Sequence, residues 1–146
     1  MLIVCPTPLG NLDDVSERQR EAMASGELLA CEDTRRTGKL LELLDIDTSR
    51  IELVSYHEHS GDKRRDELLQ ALQAGRRVVL VSDAGTPAIS DPGYRLVRGA
   101  IDRGLEVTAL PGPNAAVTAL SGSGLPTDSF LFGGFLPKTS KARRQS

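Results

Sequence analysis

Short apolar runs alternate along this chain with segments of helix length, and that alternation constrains the fold more than any other feature. A strand, a helix and a second strand in succession form a βαβ unit, whose two strands lie parallel in one sheet. The runs Leu2–Cys5, Leu28–Cys31, Ile51–Ser55, Arg77–Val81 and Glu106–Leu110 read as strands. Val78 to Val81 is apolar without interruption, as suits a strand covered on both faces.

Helices are predicted between these runs. The first covers Val15–Met23, with Asp13 or Asp14 as its cap and Gly26 as its stop. A second begins at Thr34 and turns Leu40, Leu41, Leu43 and Leu44 to one side. A third covers Asp62–Ala74, directs Leu68, Leu69 and Leu72 at the sheet and ends at Gly75. Two more cover Tyr94–Arg103 and Asn114 to about Ser121. The expected class is therefore α/β, a five-stranded, mostly parallel sheet flanked by helices.

That domain should occupy residues 1–124. Beyond it, Gly122 to Thr127 reads as a linker into the apolar stretch Phe130–Leu136, which holds all three phenylalanines and is expected to be a strand in need of a partner. A tail from Lys138 to Ser146 follows, with four positive residues and no acidic one. Residues 125–146 are thus expected to be a linker and the beginning of a second domain that is cut short.

Hydrophobic residues at 39% and charged residues at 26% indicate a folded chain rather than a disordered one. The start of the chain lacks the pattern of a signal peptide, and no apolar run reaches membrane-spanning length. Cys5 and Cys31 lie within apolar runs, where cysteine behaves as a small buried hydrophobe. A soluble, cytoplasmic protein without membrane partners is expected. A net charge of −2 gives no general attraction to nucleic acid, so any such binding must use a local basic patch.

Ligands of open parallel sheets collect outside the carboxyl ends of the strands. The segments at those ends are all unusual: Pro6–Asn11, Glu32–Arg36, Tyr56–His59, Ser82–Gly93 and Pro111–Asn114. Within the fourth, Gly85 and Gly93 permit positive φ or close approach of a ligand, Pro87 and Pro92 hold the shape, and Asp83 and Asp91 offer acceptors. Capping of local turns is the competing role for both aspartates. Gly112 allows a tight turn before the Asn114 helix. Neither the dinucleotide fingerprint nor the P-loop is present.

His57 and His59, two residues apart, face opposite ways on extended chain and have no compact set of further ligands, so no metal site is expected. One of them can instead assist proton removal or orient a phosphate. Glu32, Asp33, Arg35 and Arg36 place carboxylates and guanidinium groups at a strand-to-helix transition, where arginine offers rigid donors for phosphate.

The segments Pro6–Leu12, Glu32–Arg35, Tyr56–His59, Ser82–Gly93, Pro111–Pro113 and Gly134–Pro137 resemble the ribosomal RNA small subunit methyltransferase I family of the tetrapyrrole methylase superfamily. The resemblance implies the N-terminal domain of the tetrapyrrole methylase fold. It also implies methyl transfer from S-adenosyl-L-methionine to the ribose 2′-hydroxyl of a cytidine in 16S rRNA of the small ribosomal subunit, by a homodimer. Carried onto this chain, Pro8, Gly10, Asp83, Ala84, Gly85, Thr86, Asp91, Pro111, Gly112 and Pro113 are the cofactor-binding candidates. Glu32, Arg35, His57 and Glu58 are the catalytic candidates, with His59 nearby on the RNA side. The family has a whole second domain where this sequence stops, so weak or no cofactor binding and no independent methylation are expected of the chain alone. The alternatives are a tetrapyrrole C-methyltransferase domain and a noncatalytic nucleotide- or RNA-binding module.

Overall fold

The computed structural model describes all residues except Glu58, Asp91, Pro92, Lys138, Gln145 and Ser146, and excludes the side chains of Lys141 and Ala142. It divides into two compact units, Met1–Ala115 and Ala116–Ser146.

The first unit holds five strands, β1 (Leu2–Val4), β2 (Leu28–Cys31), β3 (Glu52–Ser55), β4 (Val78–Leu80) and β5 (Val107–Ala109). They form one sheet in the order β3-β2-β4-β1-β5. Every pairing is parallel, with Ile3 opposite both Val79 and Thr108, and Leu29 opposite both Val79 and Leu53. The connecting helices are α1 (Glu17–Ser25), α2 (Thr34–Leu43), α3 (Gly61–Gln73) and α4 (Gly93–Asp102).

Strand order and chirality decide where these helices lie. The chain moves one way across the sheet from β1 to β2 to β3, and the other way from β3 to β4 to β5. Right-handed crossovers then place α1 and α2 on one face and α3 and α4 on the other. The core follows this division because side chains alternate along each strand. Leu2, Val4, Leu28, Ala30, Val78 and Leu80 pack with Leu68, Leu69 and Leu72 of α3 and with Leu96 and Ala100 of α4. Their neighbours Ile3, Cys5, Leu29, Cys31, Val79 and Val81 pack with Ala22, Met23, Leu41 and Leu44 on the opposite face.

Several local expectations need correction. Helix α1 begins two residues later than expected because Ser16 caps it: the Gln19 N–H donates to Ser16 Oγ at 3.3 Å and the Ser16 N–H to Gln19 Oε1 at 2.6 Å. Asp13 and Asp14 lie instead in a 3-10 turn over Leu12–Asp14, capped by Asn11. In α2, Leu41 and Leu44 are buried, whereas Leu43 is 52% exposed because its position falls off the seam. Gly75 ends α3 as expected, at φ 85°. Strands β4 and β5 are each shorter by one residue at both ends than the apolar runs suggest.

The second unit contains most of α5 (Ala115–Ser121) and the short α6 (Ser140–Arg143). The strand expected over Phe130–Leu136 is not formed. Those residues have no strand partner, and Leu131, Phe135 and Leu136 are 92%, 81% and 73% exposed. Phe132 and Phe135 meet edge to face, with ring centroids 6.3 Å apart.

Candidate active site at the carboxyl edge of the sheet

Strands β1 and β4 are neighbours, yet β1 leads to a helix on one face and β4 to a helix on the other. Their outgoing loops diverge, which makes this the switch point at which open α/β sheets take ligands. The loops are nevertheless tied at their roots. Thr7 and Gly85 exchange two backbone hydrogen bonds, of 2.9 Å and 3.1 Å. The Thr7 hydroxyl donates to the Ser82 carbonyl at 3.0 Å, and the Ser82 hydroxyl to the Gly85 carbonyl at 3.0 Å. Gly85 takes φ 85°, which an L side chain rarely adopts. Ala88 and Ser90 are also left-handed, at φ 69° and 53°, so the loop stores backbone strain of the kind found at ligand clamps. Gly93 has an ordinary φ, and its missing side chain makes room for Leu80 rather than for a ligand, since a Cβ there would lie 2.7 Å from Leu80 Cδ2.

The third wall is the turn at Pro111-Gly112-Pro113. A Cβ on Gly112 would lie 2.7 Å and 2.8 Å from the Pro6 ring and would overlap the Gln19 side-chain nitrogen, so only glycine fits. Gln19 is 1% exposed and donates from that nitrogen to the Pro6 carbonyl at 3.3 Å. The Thr86 hydroxyl donates to the Pro113 carbonyl at 2.8 Å. The loops after β1, β4 and β5 thereby form one connected rim.

A fourth loop joins through charge. The Asp83 N–H donates to Glu32 Oε1 at 3.2 Å, and Arg36 pairs with Asp83 Oδ2 at 3.0 Å. With the arginine side chain 71% exposed, that pair contributes at most about 1 kcal/mol. Asp83 Oδ1 is buried and has no hydrogen-bond partner among the described residues. A buried acceptor left unmatched is costly, so Asp83 Oδ1 is open to a donor from outside the described residues. Beside it, Pro8, Arg36, Thr37, Leu40, Ser82 and Asp83 line a cavity of about 70 Å³.

The remaining candidates divide. Arg35 points away, 90% exposed, and bonds Asp33, the cap of α2. That guanidinium, with the Arg35 and Arg36 backbone N–H groups, holds the Asp33 carboxyl below its usual range. His57 is half-buried: its backbone N–H donates to Ser60 Oγ at 2.8 Å, and its Nδ1 accepts the His59 N–H at 3.2 Å. Among the described residues no three His, Cys, Asp or Glu side chains are grouped to hold a metal. Gly10 (φ 122°) and Ala84 are exposed on the rim, as is Pro111. Glu58, Asp91 and Pro92 lie outside the described residues. Sequence reasoning missed Thr7 and Gln19; it named Arg36 as one of two adjacent guanidinium groups at the ligand edge, but not its pairing with Asp83.

Burial pushes the Cys5 thiol up to about 12. It raises the Cys31 thiol as well, against a smaller opposing effect from a hydrogen bond with Thr37. Both thiols are buried at the carboxyl ends of β1 and β2 and pack in the core beneath the site.

Fold and site together define a doubly wound, parallel α/β domain with a ligand rim built from the loops after β1, β2, β4 and β5. Residues 1–145 match the Tetrapyrrole (Corrin/Porphyrin) Methylases, and the chain belongs to that family. It is 53% identical over 145 residues to the ribosomal RNA small subunit methyltransferase I of Halalkalibacterium halodurans, covering 99% of this chain and 49% of that protein. The identity to the protein of the same description from Escherichia coli O157:H7 is 48% over 145 residues, 99% of this chain and 50% of the other. The chain thus spans about half the length of the curated relatives it matches.

Among solved structures, a uroporphyrin-III-C-methyltransferase from Thermus thermophilus superposes with TM-score 0.63 at 21% identity, over 86% of this chain and 53% of that one. The methyltransferase CobJ gives 0.65 at 22%, over 86% and 51%. At these identities the likeness concerns the fold. No helix among the described residues is long and apolar enough to cross a membrane.

Proposed function

We propose that this chain carries the cofactor-binding part of an S-adenosyl-L-methionine-dependent methyltransferase acting on the ribose 2′-hydroxyl of a cytidine in 16S rRNA. The observation that carries the reading is the orphaned Oδ1 of Asp83, a residue whose backbone N–H bonds Glu32 and whose Oδ2 pairs with Arg36 at the switch point of the sheet. The similarity to relatives described as ribosomal RNA small subunit methyltransferase I supports RNA as the substrate.

The residues present fit the cofactor. Asp83 Oδ1 offers an acceptor to an amine or hydroxyl of the ligand, and Gly112 lets the β5 loop close against Pro6 and Gln19 beside it. Pro8, Gly10, Ala84, Gly85, Thr86, Pro111 and Pro113 complete the proposed rim, with Asp91 as a further candidate from the sequence. When bound, the cofactor supplies a methyl group on a sulfonium, which is already a good leaving group.

A ribose hydroxyl is a weak nucleophile, so the protein must place it in line and provide a route for its proton. His57, whose Nδ1 accepts the His59 N–H, and the carboxylates of Glu32 and Glu58 are the candidates to take that proton, while the exposed Arg35 serves RNA phosphate.

The exposed Leu131, Phe135 and Leu136 support reading residues 125–146 as a linker and the first segment of a second domain. A homodimer is part of the same proposal.

The test is transfer of labelled methyl groups from S-adenosyl-L-methionine to small ribosomal subunits by the full-length protein. Label that resists alkaline hydrolysis as a cytidine-containing dinucleotide is expected. Transfer to a porphyrinogen carbon, or cofactor and RNA binding without turnover, would overturn the reading.

A further inference from the structure

An open cavity outside the rim lies between α3 and α4, on the face of the sheet opposite α1 and α2. It is an open groove of about 480 Å³. Its walls are the first turn of α3 and the outward side of α4, and its guanidinium groups outnumber its carboxylates: Arg65, Arg95, Arg98 and Arg103 against Asp62 and Asp102. In a chain of net charge −2, this is a locally positive channel.

The four arginines are not equally committed. Arg65 is 28% exposed and is held by Asp62 and Asp66, both at 2.9 Å. Arg98 shares Asp102 at 2.9 Å, with both side chains more than half exposed. Arg103 bonds only the Gly99 carbonyl, at 3.1 Å, and Arg95 is exposed with no ion pair among the described residues. Three cations are thus accessible along one side of α4. At their head stands Tyr94, 64% exposed. A buried tyrosine anchors a core, but an exposed one beside accessible arginines offers a stacking face.

Position connects the groove to the rim. Tyr94 follows Gly93 directly, at the end of the Ser82–Gly93 loop that carries Asp83, so the groove begins at the carboxyl edge of the sheet. An open channel with accessible cations and one aromatic face at its mouth suits a phosphodiester backbone and an unstacked base better than a small enclosed ligand.

We propose that this groove binds single-stranded RNA, with Arg95 and Arg98 on consecutive phosphates and a base stacked on Tyr94. It rests on the RNA-methyltransferase reading and adds the path by which the substrate strand reaches the rim.

The test is fluorescence anisotropy with a short labelled single-stranded oligoribonucleotide at low salt, with circular dichroism to confirm the fold of each variant. Tyr94→Ala is expected to weaken binding about 5- to 150-fold and Tyr94→Phe to preserve it. The double change Arg95→Gln, Arg98→Gln should flatten the slope of log affinity against log salt by about 1.4, the value for two phosphates on a single strand. Lys39→Gln, on α2, should change neither. If the unaltered chain binds RNA and these α4 variants bind it equally well, the groove is refuted while RNA as substrate stands. If the unaltered chain binds no RNA at low salt, the groove proposal falls, while the RNA reading is decided separately by methyl transfer to small ribosomal subunits.

Discussion

Replacing Thr7 by valine tests whether the rim is held together as described. Valine keeps the side-chain shape and the extended backbone of a residue that is 1% exposed, so the change removes little except the hydroxyl. That hydroxyl is the donor to the Ser82 carbonyl at 3.0 Å, and Ser82 is 5% exposed. An acceptor left buried without its donor costs about 1–3 kcal/mol, more than the net value of an ordinary hydrogen bond. The two backbone bonds between Thr7 and Gly85 survive, so the loops should loosen without separating. Urea denaturation should show a loss of about 2 kcal/mol with unchanged slope, and melting should fall by about 4–8 °C. Hydrogen exchange at the Gly85 amide should accelerate, because its partner is the Thr7 carbonyl. Thr7→Ser restores the donor and should recover most of the loss. A cost below about 0.5 kcal/mol, or equal losses for valine and serine, would refute the claim that this hydroxyl clamps the β1 and β4 loops.

Four further outcomes follow. Gly112→Ala should destabilise the chain by about 1–3 kcal/mol in urea denaturation, because the new Cβ must displace the Pro6 ring and Gln19. Asp83→Leu should abolish binding of S-adenosylhomocysteine in calorimetry while leaving the fold intact, since the buried Oδ1 makes no bond within the described chain. Asp33→Asn keeps a good helix cap and removes only the charge. Because the folded-state pKa of Asp33 is lowered, its contribution is complete above the ordinary carboxylate value and disappears as pH falls through the folded value, so wild type and variant should differ in stability at neutral pH and converge in acid. Cys5, with its thiol at about 12, should resist alkylation at neutral pH in the native chain and react in urea, as mass spectrometry would show.

The parallel α/β class was readable because its signals are local: apolar runs of strand length, leucines at helical spacing and glycines such as Gly75 where a helix must stop. Strand order was not readable, because β4 lies between β1 and β2 only through tertiary packing. The start of α1 was misplaced since two aspartates outweighed Ser16, whose partner Gln19 completes a capping box three residues on. Gln19 lies in a mostly polar helix, where nothing in the sequence distinguishes it, yet its amide serves both Ser16 and Pro6. Arg35 and Arg36 are adjacent in sequence but about 100° apart around α2, so only one reaches Asp83. Apolar composition alone suggested a strand over Phe130–Leu136, and without a neighbouring strand to accept its hydrogen bonds the segment stays irregular and exposed.

The most direct test of the central claim is a titration of the isotopically labelled chain with S-adenosylhomocysteine, followed by amide chemical shifts, which register weak binding as readily as tight. The account predicts shifts concentrated at Thr7, Asp83, Gly85 and Gly112, and their loss in Asp83→Leu. Shifts centred elsewhere in the chain, or shifts that persist unchanged in Asp83→Leu, would contradict it.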